Sequence, residues 1–103
     1  MDFSESVFKA LEKIPGGKVA TYKEIAIALG NPKAARAVGN ACSKNPFAPR
    51  VPCHRIVCSD GRLGGYSKGE NKKISSLKKE GIKIGKGKII NFKDVLISAK
   101  ELK

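Results

Sequence analysis

Three prolines in seven residues, Pro46, Pro49 and Pro52, divide this chain. Proline has no backbone N–H, clashes with the preceding helical turn, and pushes the residue before it out of the α region. No helix can therefore run through Lys44-Asn45-Pro46-Phe47-Ala48-Pro49-Arg50-Val51-Pro52. The stretch must be a stiff loop, and it delivers the chain in a restricted geometry to Cys53-His54-Arg55-Ile56-Val57.

Helical spacing dominates before that loop. Phe3, Val7, Leu11 and Ile14 predict a helix over 3–14, opened by a capping-box-like Asp2 and Glu5 and stopped by Pro15-Gly16-Gly17. Lys18-Val19-Ala20 reads as a short extended piece. Thr21 with Glu24 is a capping box for a second helix with Ile25, Ala26 and Leu29 inward, ended by Gly30. Asn31 as N-cap and Pro32 at the first helical position predict a third helix to about Ser43. Two short helices joined at Gly30-Asn31 fit a helix-turn-helix, and also an ordinary αα-hairpin.

After the loop, Ile56-Val57-Cys58 reads as a buried strand, with turns at Asp60-Gly61 and Gly64-Gly65. Glu70 to Glu80 predicts a helix with Ile74 and Leu77 inward, lysines on its other faces and Gly81 at its stop. Residues 82–92 predict a hairpin turning at Gly85-Lys86-Gly87, and Val95, Leu96, Ala99 and Leu102 a last amphipathic helix. The fold class expected is mainly α with short β strands, a helix-turn-helix or winged-helix-like domain spanning 1–103.

A chain of 103 residues suffices for one modest core, and 41% hydrophobic with 29% charged residues reads as globular. No apolar run approaches the roughly 20 residues needed to cross a bilayer, and the acidic start is wrong for a signal peptide. A monomer in the cytoplasm, or in the nucleus of a eukaryote, is the expectation. Twenty-one Lys and Arg against nine Asp and Glu give a net charge of +12. Residues 68–103 alone hold eleven lysines and four acids. Such a surplus favours polyanions, nucleic acid foremost, although a lysine-rich solvated surface has the same composition.

Cys42, Cys53 and Cys58 make an odd count with no secretory signal, which argues against a disulfide framework. A zinc site from Cys42, Cys53, His54 and Cys58 lacks paired spacing, so no metal is expected. At Cys53-His54-Arg55 a thiol stands beside an imidazole and a guanidinium, and nearby positive charge makes a thiol more nucleophilic. Side chains at i and i+1 of an extended segment point to opposite faces. His54 can then take the Cys53 proton directly only if the chain turns sharply; otherwise a bridging water or third group is needed. The pair alone also fits a buried cysteine beside a packed histidine. A cysteine protease is not the expectation, because those families bring the histidine from far along the chain and here the only histidine is next door.

Pro52-Cys53-His54-Arg55-Ile56-Val57 resembles the active-site signature of the O6-alkylguanine-DNA alkyltransferases. Asn31-Pro32-Lys33-Ala34-Ala35-Arg36-Ala37-Val38-Gly39 resembles that family's recognition helix, Asn45-Pro46 its intervening loop, Gly64-Gly65-Tyr66-Ser67 the segment after the active site, and Lys79-Glu80-Gly81 the end of the next helix. The resemblance covers about residues 3–82, in order and spacing. It implies Cys53 as alkyl acceptor, His54 as a base working through a water, and Glu80 as the carboxylate that orients it. Tyr22 resembles the phenol that helps flip the nucleotide and protonates the leaving guanine. Arg36 is similar to the finger that fills the vacated base stack, and Asn45 to the residue tying recognition helix to active-site loop. Val51, Cys53, Tyr66 and Ser67 resemble the pocket for the flipped base, and Ala35, Gly39, Tyr22 and Ser67 join Arg36 in DNA contact. The implied activity is single-turnover, cofactor-free transfer from O6-alkylguanine, or O4-alkylthymine, in double-stranded DNA.

The third helix supports this independently. A helical wheel turns Ala34, Val38 and Ala41 inward and Ala35, Arg36 and Gly39 outward. That outer face is bare apart from Arg36, unlike a major-groove reader with several long polar side chains, and suits close approach to the minor groove. Two alternatives remain: an alkyltransferase-like lesion sensor, against which Cys53 itself argues, and a basic helix-turn-helix regulator, against which the bare helix argues. Many members of the resembled family carry an N-terminal domain; none is expected in this chain, which reads either as a naturally minimal member or as a separated domain. The basic extension 83–103 is expected either to stabilise the fold in place of that domain or to add phosphate contacts.

Overall fold

The computed structural model describes residues 3–47, 50–66 and 68–102. Asp2 of the first expected cap, Ala48 and Pro49 of the loop, and Ser67 of the expected pocket lie outside the described residues. Helix α1 (Phe3–Glu12) buries Val7, Ala10 and Leu11. It ends two residues before the spacing predicts. The Lys13 and Ile14 N–H groups bond three residues back, to Ala10 and Leu11, and this tightened turn still puts Ile14 in the core. Phe3, expected on the apolar stripe, is exposed.

Strand β1 (Ala20–Thr21) runs directly into α2 (Tyr22–Ala28). Thr21 caps α2 as expected, its hydroxyl accepting from Glu24 N at 3.0 Å. The Glu24 carboxylate does not complete the box; it accepts from Ala99 N at 2.6 Å and so ties down the chain's far end. Helix α3 (Ala35–Ser43) begins three residues later than Asn31 and Pro32 predicted. Ala34 N bonds to Asn31 O, so Asn31 opens a separate turn before the helix, and Ala34 is the N-cap without a side-chain bond. The pair α2–α3 is a helix-turn-helix in a mainly α fold with short strands.

Cys53–Arg55 form a 3₁₀ turn rather than the expected extended segment, and β2 (Ile56–Val57) then pairs parallel with β1. Alternation along this pair divides the interior. Ala20 and Ile56 face the cluster built by α1, α2 and α3; Val19 and Val57 face a second cluster with Leu63, Leu77, Ile82, Ile89 and Val95. Helix α4 (Glu70–Lys79) supplies Leu77 to that second cluster. Strands β3 (Ile84–Gly85) and β4 (Lys88–Ile89) form an antiparallel hairpin through Lys86 and Gly87, both at positive φ, as a two-residue turn of matching twist requires.

The single last helix does not form. The chain makes α5 (Phe92–Val95), an extended link, and α6 (Ala99–Leu102). Val19 N bonds to Val95 O and Ile97 N to Val19 O, each at 2.9 Å, so the link extends the edge of β1. Unpaired strand-edge groups claim the N–H groups a helix would use. Ile97 and Leu102 belong to the helical cluster, so the extension contributes to the core.

Candidate active site

Asn45 organises the proline loop. Its side-chain oxygen accepts from Phe47 N at 2.9 Å, and its amide donates to Val51 O at 2.9 Å and to Cys53 Sγ at 3.0 Å. One buried side chain thus closes the loop and holds the sulfur. The Cys53 sulfur also lies 3.7 Å from the carbonyl of Cys42, at the end of α3. These contacts set its electrostatics. The neighbouring Cys42 side chain stabilises its charged form, burial opposes this, and the Asn45 amide and the Lys73 charge assist; the net effect lowers the Cys53 pKa. Cys42 is pushed up, first by the Cys53 side chain and then by burial, so it remains a thiol.

A relay of polar groups stands behind Cys53. His54 Nε2 lies 3.0 Å from Glu80 Oε2. Arg55 holds the same carboxylate through Nε at 3.1 and 3.2 Å and Nη2 at 2.8 Å, and anchors itself on Ile14 O at 2.7 Å. Burial pushes the Glu80 carboxyl up, but the bonds from Arg55 and His54 outweigh it and its pKa falls below the ordinary value of 4.5. An ionised Glu80 requires a proton on Nε2, which leaves Nδ1 as the basic nitrogen of a neutral ring. Nδ1 is buried with no hydrogen-bond partner among the described residues. The turn at Cys53 is sharp, yet the imidazole goes to Glu80 and makes no bond to Cys53 among the described residues.

The sign of the Glu80 shift gives a pH prediction. A depressed carboxylate contributes stability that is complete above its unfolded pKa and is lost as pH falls through the lower folded value. Melting temperature is expected to fall as pH drops below about 4.5, and Glu80→Gln to flatten that acid limb. Thermal melts across pH 2–7 measure it; equally steep limbs in both proteins would refute the assignment.

A cavity of about 280 Å³ opens over Cys53, lined also by Tyr22, Gly39, Cys42, Ser43, Gly65 and Tyr66. Burial, then the neighbouring thiols, raises the Tyr22 pKa to about 12, so the phenol keeps its proton. Tyr66 is raised for the same two reasons and packs edge-on to His54. Of the expected pocket residues, Cys53 and Tyr66 line the cavity; Val51 is buried beside it, its carbonyl held by Asn45. Arg36 is exposed and Ala35 half-buried on the outer face of α3, and Gly39 faces the Tyr22 ring.

Two residues of the site escaped the sequence reading. Cys42 stood there only as an improbable metal ligand. Lys73 was expected among the solvated lysines of α4, but it is fully buried and donates to the carbonyls of Ile56 (2.7 Å), Leu63 and Gly65 (3.1 Å). Its one legible signal is position: Lys73 stands four residues before Leu77, on the same buried helix face. Burial lowers its pKa to about 8 against the opposing pull of the three thiols, so it stays protonated at neutral pH.

The DNA-binding domain of 6-O-methylguanine DNA methyltransferase, as a family, matches residues 2–82. The chain belongs to this family. A methylated-DNA–protein-cysteine methyltransferase of Methanosarcina barkeri is 53% identical over 79 residues, covering 77% of this chain and 50% of that protein. A bifunctional methyltransferase/endonuclease of Picrophilus torridus is 44% identical, covering 86% of this chain and 30% of its own length. The chain thus spans half or less of these curated members' length. Among solved members, Mycobacterium tuberculosis OGT in complex with DNA matches with a TM-score of 0.76 at 48% identity, over 79% of this chain and 49% of that one. Schizosaccharomyces pombe Atl1, in complex with damaged DNA containing O6-carboxymethylguanine, matches with a TM-score of 0.83 at 34% identity, over 93% and 94%. Among the described residues no helix is long and apolar enough to cross a membrane.

Proposed function

We propose that this chain repairs DNA by taking the alkyl group from O6-alkylguanine, in duplex DNA, onto the sulfur of Cys53. The observation that carries the reading is a nucleophile already set up: a sulfur with a lowered pKa, held by Asn45 at 3.0 Å, beneath a cavity and in front of the His54–Glu80–Arg55 relay.

The basic Nδ1 of His54 takes the thiol proton through a water, and Glu80 stabilises the imidazolium that results. The Cys53 thiolate displaces guanine from the alkyl carbon: the S–C bond forms, the C–O6 bond breaks, and the electron pair leaves with guanine. Tyr22 supplies the proton the leaving base needs. No ordinary reductant reverses a thioether, so each molecule acts once. Ser67, outside the described residues, is proposed with Tyr66 as a contact to the flipped base.

DNA meets the outer face of α3. Ala35 lets that face approach a minor groove closely and Arg36 projects from it, while Gly39, expected on the same face, turns toward the Tyr22 ring and the cavity. Extruding a base costs roughly a few kcal/mol, part of which Arg36 offsets by entering the stack. Arg36→Ala is expected to slow repair of duplex substrate roughly tenfold, about 1.4 kcal/mol, while leaving reaction with free O6-alkylguanine nearly unchanged. Parallel single-turnover assays on the two substrates check this, and equal losses would refute the finger role.

The long match to Atl1 favours a second reading, a lesion sensor that binds without transfer. Intact mass after incubation with O6-methylguanine duplex, followed by peptide mapping, separates the two. One added methyl group on Cys53 is the expected result; tight lesion-selective binding with unchanged mass would establish the sensor instead.

A further inference from the structure

The segment Gly61–Tyr66 carries Gly65 and Tyr66 into the cavity lining and has little to hold it internally. Gly61 and Gly64 sit at φ +89° and +72°, and Gly65 contributes no side chain. Such a glycine-rich stretch samples many conformations unless it is fastened from outside. It must nevertheless hold Gly64 against Tyr22, where a Cβ would come within 3.1 Å of the phenol oxygen.

One fastening is Lys73, on the carbonyls of Leu63 and Gly65. Bonds at its two ends, Gly61 N to Cys58 O and Cys58 N to Arg62 O on one side and Gly69 N to Tyr66 O on the other, tie it to its chain neighbours, and a further fastening comes from residues beyond 82, where the family match ends. Strand β4 lies along the segment: Ile89 N donates to Gly61 O at 3.0 Å, Leu63 N donates to Gly87 O at 3.3 Å, and Arg62 bridges to Lys88. Phe92 closes the arrangement, its ring carbons 3.5 Å from where a Gly61 Cβ would stand. Leu63 packs in one cluster with Ile89 and Phe92.

We infer that the β3–β4 hairpin, backed by Phe92, is a positioning element for alkyl transfer, setting Gly65 and Tyr66 against Cys53 and Tyr22. The inference rests on the function proposed above. Single-turnover chemistry separates positioning from mere stability. The endpoint of alkylation counts folded molecules, and the rate constant at saturating duplex reports how well each folded molecule is arranged.

The test compares the full chain with Phe92→Ala and with Gly87→Val, which forces a β-branched residue to positive φ at the exposed hairpin turn. Rate constants with O6-methylguanine duplex are expected to fall roughly tenfold in both. Endpoints and affinity for undamaged duplex should be unchanged below the melting temperature, and Phe92→Leu should recover most of the rate. Rate constants within about twofold of the parent, with only endpoints or melting temperatures lowered, would overturn the inference and leave the hairpin a stabilising tail. If the parent chain binds the lesion but gains no alkyl group, the proposed function fails. The inference is then judged on affinity: a roughly tenfold loss for lesion duplex alone upholds it, and equal losses for lesion and undamaged duplex overturn it.

Discussion

Cys53→Ala is expected to abolish alkyl transfer while affinity for duplex DNA stays within about threefold of the parent, a change of under 1 kcal/mol. No other described thiol can take over. Cys42 lines the same cavity, but its pKa is pushed up and it stays protonated; Cys58 lies beside Gly64 and outside the cavity lining. The substitution is also mild for the fold. It keeps the Cβ, and the Asn45 amide retains Val51 O when the sulfur is gone. The basic surface and the outer face of α3 are untouched. Mass spectrometry after incubation with lesion duplex, paired with a mobility-shift titration, checks both halves. Methyl gain at Cys42 would move the acceptor role to that residue, and lost binding would make Cys53 structural.

Lys73→Met is expected to destabilise the fold strongly. An ammonium has three N–H donors, and Lys73 meets three carbonyl acceptors, from Ile56, Leu63 and Gly65. Methionine fills a similar volume and donates nothing, so these acceptors lose charge-assisted bonds in a place water reaches poorly. Bonds to a charged group contribute about 1.5–3 kcal/mol each, and the relief of burying a charge offsets part of their sum, leaving a loss of roughly 2–4 kcal/mol. For a domain of this size that lowers the melting temperature by about 10–25 °C. Urea and thermal unfolding measure it; a loss under about 1 kcal/mol would mean the three carbonyls find water at no cost. Because one of the acceptors, Gly65, lines the cavity, the surviving folded molecules should also transfer more slowly.

Much of the helical framework was legible because its causes are local. Thr21 caps α2 by a bond to a residue three positions on, and the inward set Ala34, Val38 and Ala41 follows from helical period alone. The proline loop was legible for the same reason. Local rules failed where two segments compete for one group. Glu24 has the capping-box position, yet Ala99 N offers it a bond from the far end of the chain. Val95 to Leu102 has helical period, yet the open edge at Val19 draws Leu96 and Ile97 into a strand-like link. Lys73 sits in a lysine-rich helix, and nothing in its neighbours along the chain marks it as the one to be buried.

The amino-acid sequence by itself determined the kind of chemistry. It put a thiol, an imidazole and a guanidinium in consecutive positions after a loop that cannot be helical, and it set a nearly bare helix with one arginine ahead of them on a strongly basic chain. Only the tertiary structure decided how those groups work together. Glu80 reaches His54 across 26 residues, Arg55 aligns that carboxylate from a base on Ile14, Asn45 donates to the sulfur, and the hairpin beyond residue 82 bonds to the segment that leads into the cavity lining. The division has a physical cause. Reactivity and helical period are properties of residues and their near neighbours, whereas a pKa, a buried ammonium and a cavity wall depend on which distant groups packing brings within about 3 Å.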